Sequence, residues 1–436
     1  MKKKITFITT FLLATISFYA VSYASIVHHI CYPKNNIDLG LCATTPGDII
    51  ILDAQTISLN KPLTLADNVV ITGTGNKSQL TFSNSQANGS GLDIILGKNN
   101  TLENFSIVSP AQEGNYAVSS KNFNAGTGSG QSVGNLTINH LNLKNGTINI
   151  GIGDGSSDSH ISITNNHVAS GYTLGSPSQA DAGIYILANN ASTVTVDKEQ
   201  NNYINVSGAQ QDVFGIYNQA MNKSTITLIN GISQNIFHQG SVSSSLIYNY
   251  ASTSSLIDIR KGELKNIVKT TQDQYEVSGI TNYASHHAII FIYAITDNRL
   301  EVGGTAYGGD WGLTDAALRN MADYFGKVDI LSIKDNVLSV GATSDGMAAF
   351  ESWVNTNGHI DYHAKNIVNN VISSRKKYPA TQYNMLLIAS DNNYNQRHGI
   401  IKFKDDNWNQ AKQDLLNDNQ FINGKITIDQ EGGIIK

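Results

Sequence analysis

The chain has 436 residues, a net charge of −5 at pH 7 and only 14% charged side chains. The length allows several domains or one long solenoid, and the acidic balance argues against nucleic acid as a partner and against a polybasic membrane patch. Proline is scarce while glycine, asparagine, serine and threonine abound, a composition that fits a turn-rich β-structure better than a helical one.

The N-terminus reads "MKKKITFITTFLLATISFYAVSYAS". Lys2, Lys3 and Lys4 form a basic region, Ile5 to Ala20 a short apolar one, and Ser22-Tyr23-Ala24 a small-residue cleavage site. This predicts a secretory signal peptide over residues 1–24, since the apolar run is short for a membrane span. No later stretch is apolar enough to cross a bilayer. The mature chain is therefore expected in the periplasm or outside the cell, with 29 less 3 basic side chains against 34 acidic ones. Cys31 and Cys42 are the only cysteines. An even pair in an exported chain favours a disulfide closing an N-terminal loop over residues 25–44.

Strand signals begin at Thr45. "NVVITGTG", "NTLENFSI", "GNLTINHLNL" and "SHISITNNHV" each place apolar residues in alternation beside Asn or Gly turns. "GDGSSDSH", with Asp154, Asp158 and His160, reads as a polar turn whose spacing matches no known calcium loop.

A repeat follows. "FGIYNQA", "SLIYNYA" and "SGITNYA" end on Ala220, Ala251 and Ala284, and "GIYILA" ends on Ala188, so the anchors stand 32, 31 and 33 residues apart. Ile184, Ile216, Ile247 and Ile280 lie four residues before each anchor. Apolar pairs lie six and eight after (Val194/Val196, Ile226/Leu228, Ile257/Ile259, Ile290/Ile292), and Ile204, Ile236, Ile267 and Leu300 sixteen after. Each repeat thus carries three short alternating strands. Ala322 and Val354 extend the register, so "LTDAALRNMADYFG" is expected to be strand and turn although it looks like a helix in isolation. The insertion around "GGTAYGGDWGL" reads as a loop, Ala389 anchors a distorted repeat, and "WNQAKQDLLNDNQ" is expected to form a capping helix within a C-terminal cap over 404–436.

Three strands per turn, stacked, make a parallel β-helix, here about ten coils over residues 45–403. "TPGDIIILDAQTISLNKPLTLADNVVITGTG", Thr45 to Gly75, resembles the opening coils of right-handed parallel β-helix proteins of the pectin-lyase-like superfamily. That resemblance implies an all-β solenoid; it is weak for function, because the fold serves lyases, glycosidases, esterases, tailspikes and adhesins. Pectate lyases of this kind carry an Arg-x-Pro-x-x-Arg element, and none of the 6 prolines here has an arginine two before it. Polygalacturonase-like enzymes carry an Asp-Asp pair upstream of Gly-His-Gly, whereas Asp405-Asp406 follows His398-Gly399 here. Neither catalytic set carries over.

Alternation within the first strand sends Asn218, Asn249, Asn282 and Asn320 inward with the anchors, which predicts an asparagine ladder. The intervening positions point outward. Tyr185, Tyr217 and Tyr248 should stack in one column, followed by Thr281, Arg319 and Glu351, with Tyr250 and Tyr283 in a second. Such rings either stabilise the sheet or bind an amphipathic ligand such as a polysaccharide. On the second strand Asp329 and Asp361 should face outward on neighbouring coils ~4.8 Å apart. Carboxylates that close raise one pKa or recruit a cation such as calcium, and a retaining glycosidase needs such a pair. His363 lies beside Asp361 on the same face, and Arg260 could hold an anionic sugar; the alternative is a set of solvated surface residues. Two functions are therefore expected from these residues: a carbohydrate-binding or surface module using the tyrosines, or a polysaccharide-cleaving enzyme using Asp329, Asp361 and His363.

Overall fold

The computed structural model describes residues 29–436 apart from 84–91, 111–115, 125, 171–180, 207–212, 240–243, 271–276, 304–314, 342–346, 375–381, 393–396, 405–406, 423–425 and 432–433. The expected signal peptide, and most of the loop around "GGTAYGGDWGL", lie outside the described residues. The rest forms a right-handed parallel β-helix whose strands fall into three long parallel sheets. Sheet 1, with 13 strands, holds the heptads; sheet 2, with 19, holds the second strands; sheet 3, with 12, holds the third strands.

The register follows the repeat. Ala188, Ala220, Ala251, Ala284, Ala322 and Val354 pair in sequence across sheet 1, and each is fully buried. "DAALRNMA" is a strand, Asp315–Ala322. Its apolar residues have helical spacing, but the coils below and above offer a full ladder of backbone partners, and tertiary pairing overrides local propensity. The twelve strands of sheet 3 exceed the expected ten coils, because the early coils are shorter and less regular than the heptad repeats. Most repeat coils also gain a two-residue strand in sheet 2, such as Ile232–Ser233, Glu263–Leu264 and Ile295–Thr296.

The core is one continuous apolar column of Ile, Leu and Val from all three sheets. Two rows of amides run through it. The heptad ladder is as expected: Asn218 donates to Asn249 (3.1 Å), Asn249 to Asn282 (2.9 Å) and Asn282 to Asn320 (3.1 Å). It ends on the buried hydroxyl of Tyr362, 3.0 Å from Asn320 Nδ2. A second, longer row links Asn166, Asn202, Asn235, Asn266, Asn298, Asn336, Asn370 and Asn419 at the turn before each third strand. Each amide in it also bonds backbone, so these turns keep no orphan polar groups. Where coils touch most closely only glycine fits: at Gly262 (φ +97°) a Cβ would stand 1.9 Å from the Ala294 carbonyl oxygen.

Both ends carry a helix. Helix α1, Asn36–Ala43, starts where Asn35 Oδ1 accepts from the amides of Ile37 and Asp38, and buries Leu39, Cys42 and Ala43. The Cys31–Cys42 disulfide ties it to the first strand, so the N-terminal segment holds a helix rather than a simple loop. Helix α2, Trp408–Asp418, is capped by Asn407 and buries Ala411 and Leu415. Strands after it, Gln420–Ile422, Ile426–Glu431 and Ile434–Ile435, add to all three sheets, so stacking continues beyond residue 403. Among the described residues no helix is long and apolar enough to cross a membrane.

Candidate functional site

On the outer face of sheet 1 the tyrosine column forms as the register requires. Tyr185 and Tyr217 stack at 4.8 Å with their planes 5° apart; Tyr217 meets Tyr248 at 5.2 Å, and Phe214 meets Tyr248 at 4.9 Å. Tyr248 continues to Tyr250 (6.2 Å) and Tyr250 to Tyr283 (5.2 Å). The column is not the open strip expected from alternation, because Tyr185 is only 2% exposed and Tyr217 5%. Phe123, which follows the strand Tyr116–Ser120 two coils earlier, packs edge-on against Tyr185 at 5.8 Å and Tyr116 packs against Phe123 at 5.3 Å, making a second hydrophobic cluster outside the solenoid. The lower tyrosines are structural for that reason. Tyr248, Tyr250 and Tyr283 remain half-buried.

Higher on the same face the column turns polar. Ser245, Ser278 and Thr281 share a buried hydroxyl cluster, with Thr281 2.6 Å from Ser278. Above it Arg319 Nε donates to Glu351 Oε2 at 2.6 Å, both side chains buried. Tyr283 donates to Asp323 Oδ2 at 2.8 Å.

A second group of rings stands at the corner between sheets 1 and 2. Each repeat turns there through two residues of positive φ; in most coils these are small or polar, such as Asn222-Lys223 and Thr253-Ser254. In two neighbouring coils they are His286-His287 and Tyr324-Phe325. His286 stacks on Tyr324 (4.8 Å) and His287 on Phe325 (4.6 Å). Tyr324 is 45% exposed, Phe325 41%, and Tyr293, beyond the corner on sheet 2, 56%. Bulky side chains rarely adopt the left-handed region, so this corner combines backbone strain with exposed rings. The signal was present two and three residues after each anchor, in "ASHHA" and "ADYFG", and is visible only when those turn columns are aligned.

On sheet 2 Asp329 and Asp361 pair directly, as expected. Neither is a solvated surface carboxylate, since both are buried. Lys327 Nζ lies 3.1 Å from Asp329 and 2.9 Å from Asp361; Lys404 Nζ lies 2.8 Å and 3.3 Å from the same two groups. The two lysines stand where a cation would otherwise be recruited. Among the described residues no group of three or more His, Cys, Asp or Glu side chains comes together to hold a metal. Burial alone would raise the Asp361 pKa, but hydrogen bonds and charge from His359 and Lys327 outweigh it and hold the carboxyl below the usual range. The imidazole that meets Asp361 is that of His359, at 2.6 Å. The strand ends at Tyr362, and His363 instead opens a short 3₁₀ turn. Arg260 is engaged by its neighbour Asp258, Nε to Oδ2 2.9 Å, at an exposed position. Asp154 and Asp158 form a hydrogen-bonded turn with Ser132, Ser156 and Lys98.

No family model matches the sequence, and no curated protein matches it significantly.

Proposed function

We propose that this chain is an exported β-helix, of the pectin-lyase-like kind, that holds a saccharide chain without cleaving it. The observation that carries the reading is a set of exposed rings: the stacked pairs His286–Tyr324 and His287–Phe325 at the corner, the half-buried pair Tyr250–Tyr283 on sheet 1, and Tyr293 at the far end of the next strand of sheet 2. Rings with polar edges suit the mixed apolar and hydroxylated faces of sugars, and exposed rings gathered on one side of a fold mark a contact surface. The disulfide fits an exported protein.

The alternative, cleavage by Asp329, Asp361 and His363, meets a chemical difficulty. A glycosidase pair must be open to the scissile bond, whereas Asp329 and Asp361 are buried and each is held by both Lys327 and Lys404. A partner protein rather than a glycan remains an outcome of the test.

The test uses the strain at the corner. Tyr324→Asn, Phe325→Asn and Tyr293→Ser together remove the exposed rings, and asparagine tolerates positive φ better than an aromatic residue. The triple variant is expected to lose retention in polysaccharide affinity electrophoresis with no fall in melting temperature. Unchanged retention would overturn the reading.

A further inference from the structure

Two carboxyl groups lie inside the solenoid, out of reach of water. Glu199, Ile232, Glu263 and Ile295 succeed one another in a single inward column of sheet 2, which Ile333 and Ile367 continue. Glutamate thus fills two places that the other coils give to isoleucine. Both glutamates are fully buried. Each leans on the heptad ladder: Asn218 Nδ2 donates to Glu199 Oε2 at 3.3 Å, and Asn249 Nδ2 to Glu263 Oε1 at 2.7 Å. The other oxygen of each carboxyl, Glu199 Oε1 and Glu263 Oε2, has no partner, nor does Asn218 Oδ1, the free acceptor at the start of the ladder. No charge from any strand packed against them acts on either carboxyl; the groups facing them are the amides of Asn218, Asn249 and Asn282. The other titratable side chain on the ladder is Tyr362, at its far end.

An ionised carboxylate in this place would be a buried charge with no cation beside it and one oxygen left without a donor. A neutral carboxylic acid removes the charge. On Glu199 it also supplies an O–H donor next to the one ladder acceptor that lacks one.

We propose that Glu199 and Glu263 are held as neutral carboxylic acids, the proton of Glu199 completing the asparagine ladder, and that they make the middle coils a proton-dependent lock that tightens in acid and loosens in base. Burial pushes both groups from 4.5 up to about 8. Between those limits the folded chain keeps protons that the unfolded chain releases. The lock is therefore at full strength below pH 4.5, weakens as pH rises, and is lost above about pH 8. Within that window each carboxyl shifts the unfolding constant about tenfold per pH unit.

The experiment compares urea unfolding of the mature chain with Glu199→Gln, Glu263→Gln and the double variant from pH 5 to pH 9. Glutamine keeps the shape and the neutral state, so the gap between wild type and double variant isolates these two protons. The double variant should gain on wild type steadily as pH rises, and the gap should level off above about pH 8. A gap that does not change with pH would overturn the proposal. Should the variants fail to fold, infrared difference spectra of an Asp93→Asn chain decide it, since burial pushes the Asp93 carboxyl up to about 7 as well and its band must be removed. A protonated-carboxyl C=O band that disappears on raising the pH past 8 supports the lock, and its absence at pH 6 refutes it.

Discussion

Replacing Asn266 by alanine removes one rung of the turn ladder and leaves the backbone path intact. Its Oδ1 accepts from Asn235 N (3.1 Å) and Asn235 Nδ2 (3.2 Å); its Nδ2 donates to Ile232 O (2.9 Å) and Asn298 Oδ1 (3.0 Å). Two of the abandoned groups keep other partners: Asn235 Nδ2 still reaches Glu199 O, and Asn298 Oδ1 still accepts from the amide of residue 266. The Asn235 amide and the Ile232 carbonyl are left without these bonds in the dry interior. An orphaned buried polar group costs about 1–3 kcal/mol, so the variant should lose about 3–5 kcal/mol once the missing packing is included. The assay is the urea midpoint at fixed pH, with Asn205→Ala, an exposed strand position, as the control expected to stay within about 0.5 kcal/mol. A loss below about 1 kcal/mol would refute the claim that this ladder holds the coils together.

Two further outcomes follow from the outer faces. Asp361→Asn should flatten the acid limb of stability. The native carboxyl lies below its ordinary 3.8, so its contribution is present above that value and disappears as pH falls through the acid range. Unfolding midpoints from pH 6 down to 2 check this, and identical acid limbs in the two proteins would contradict it. Tyr185→Ala should cost about 3–5 kcal/mol as a buried aromatic, whereas Tyr250→Ala, half-buried, should cost about 1–2 kcal/mol. The reverse order would show that the covered column is not the structural one.

The heptad made sheet 1 legible because its period recurs without gaps and its anchors must face inward. The inward amides of Asn218, Asn249, Asn282 and Asn320 followed from the same alternation. The turn ladder was hidden because nothing local separates a buried turn amide, such as Asn202, Asn235 or Asn266, from an exposed one. Outward burial was illegible for a different reason. Alternation says which side of a strand Tyr185 faces but not that Phe123 will pack over it. Likewise Lys404 reaches Asp329 across two coils, a meeting decided by stacking rather than by sequence distance. Glu199 and Glu263 carry no local mark of their burial, which only the pairing reveals by putting them in a column of isoleucines.

The most direct measurement incubates the mature protein with a panel of neutral and acidic polysaccharides, with and without calcium, and assays retention, new reducing ends and unsaturated products together. The account predicts retention on at least one polysaccharide, no cleavage product of either kind, and loss of that retention when the rings of Tyr293, Tyr324 and Phe325 are removed. Cleavage of any substrate, or failure to be retained by all of them, would contradict it.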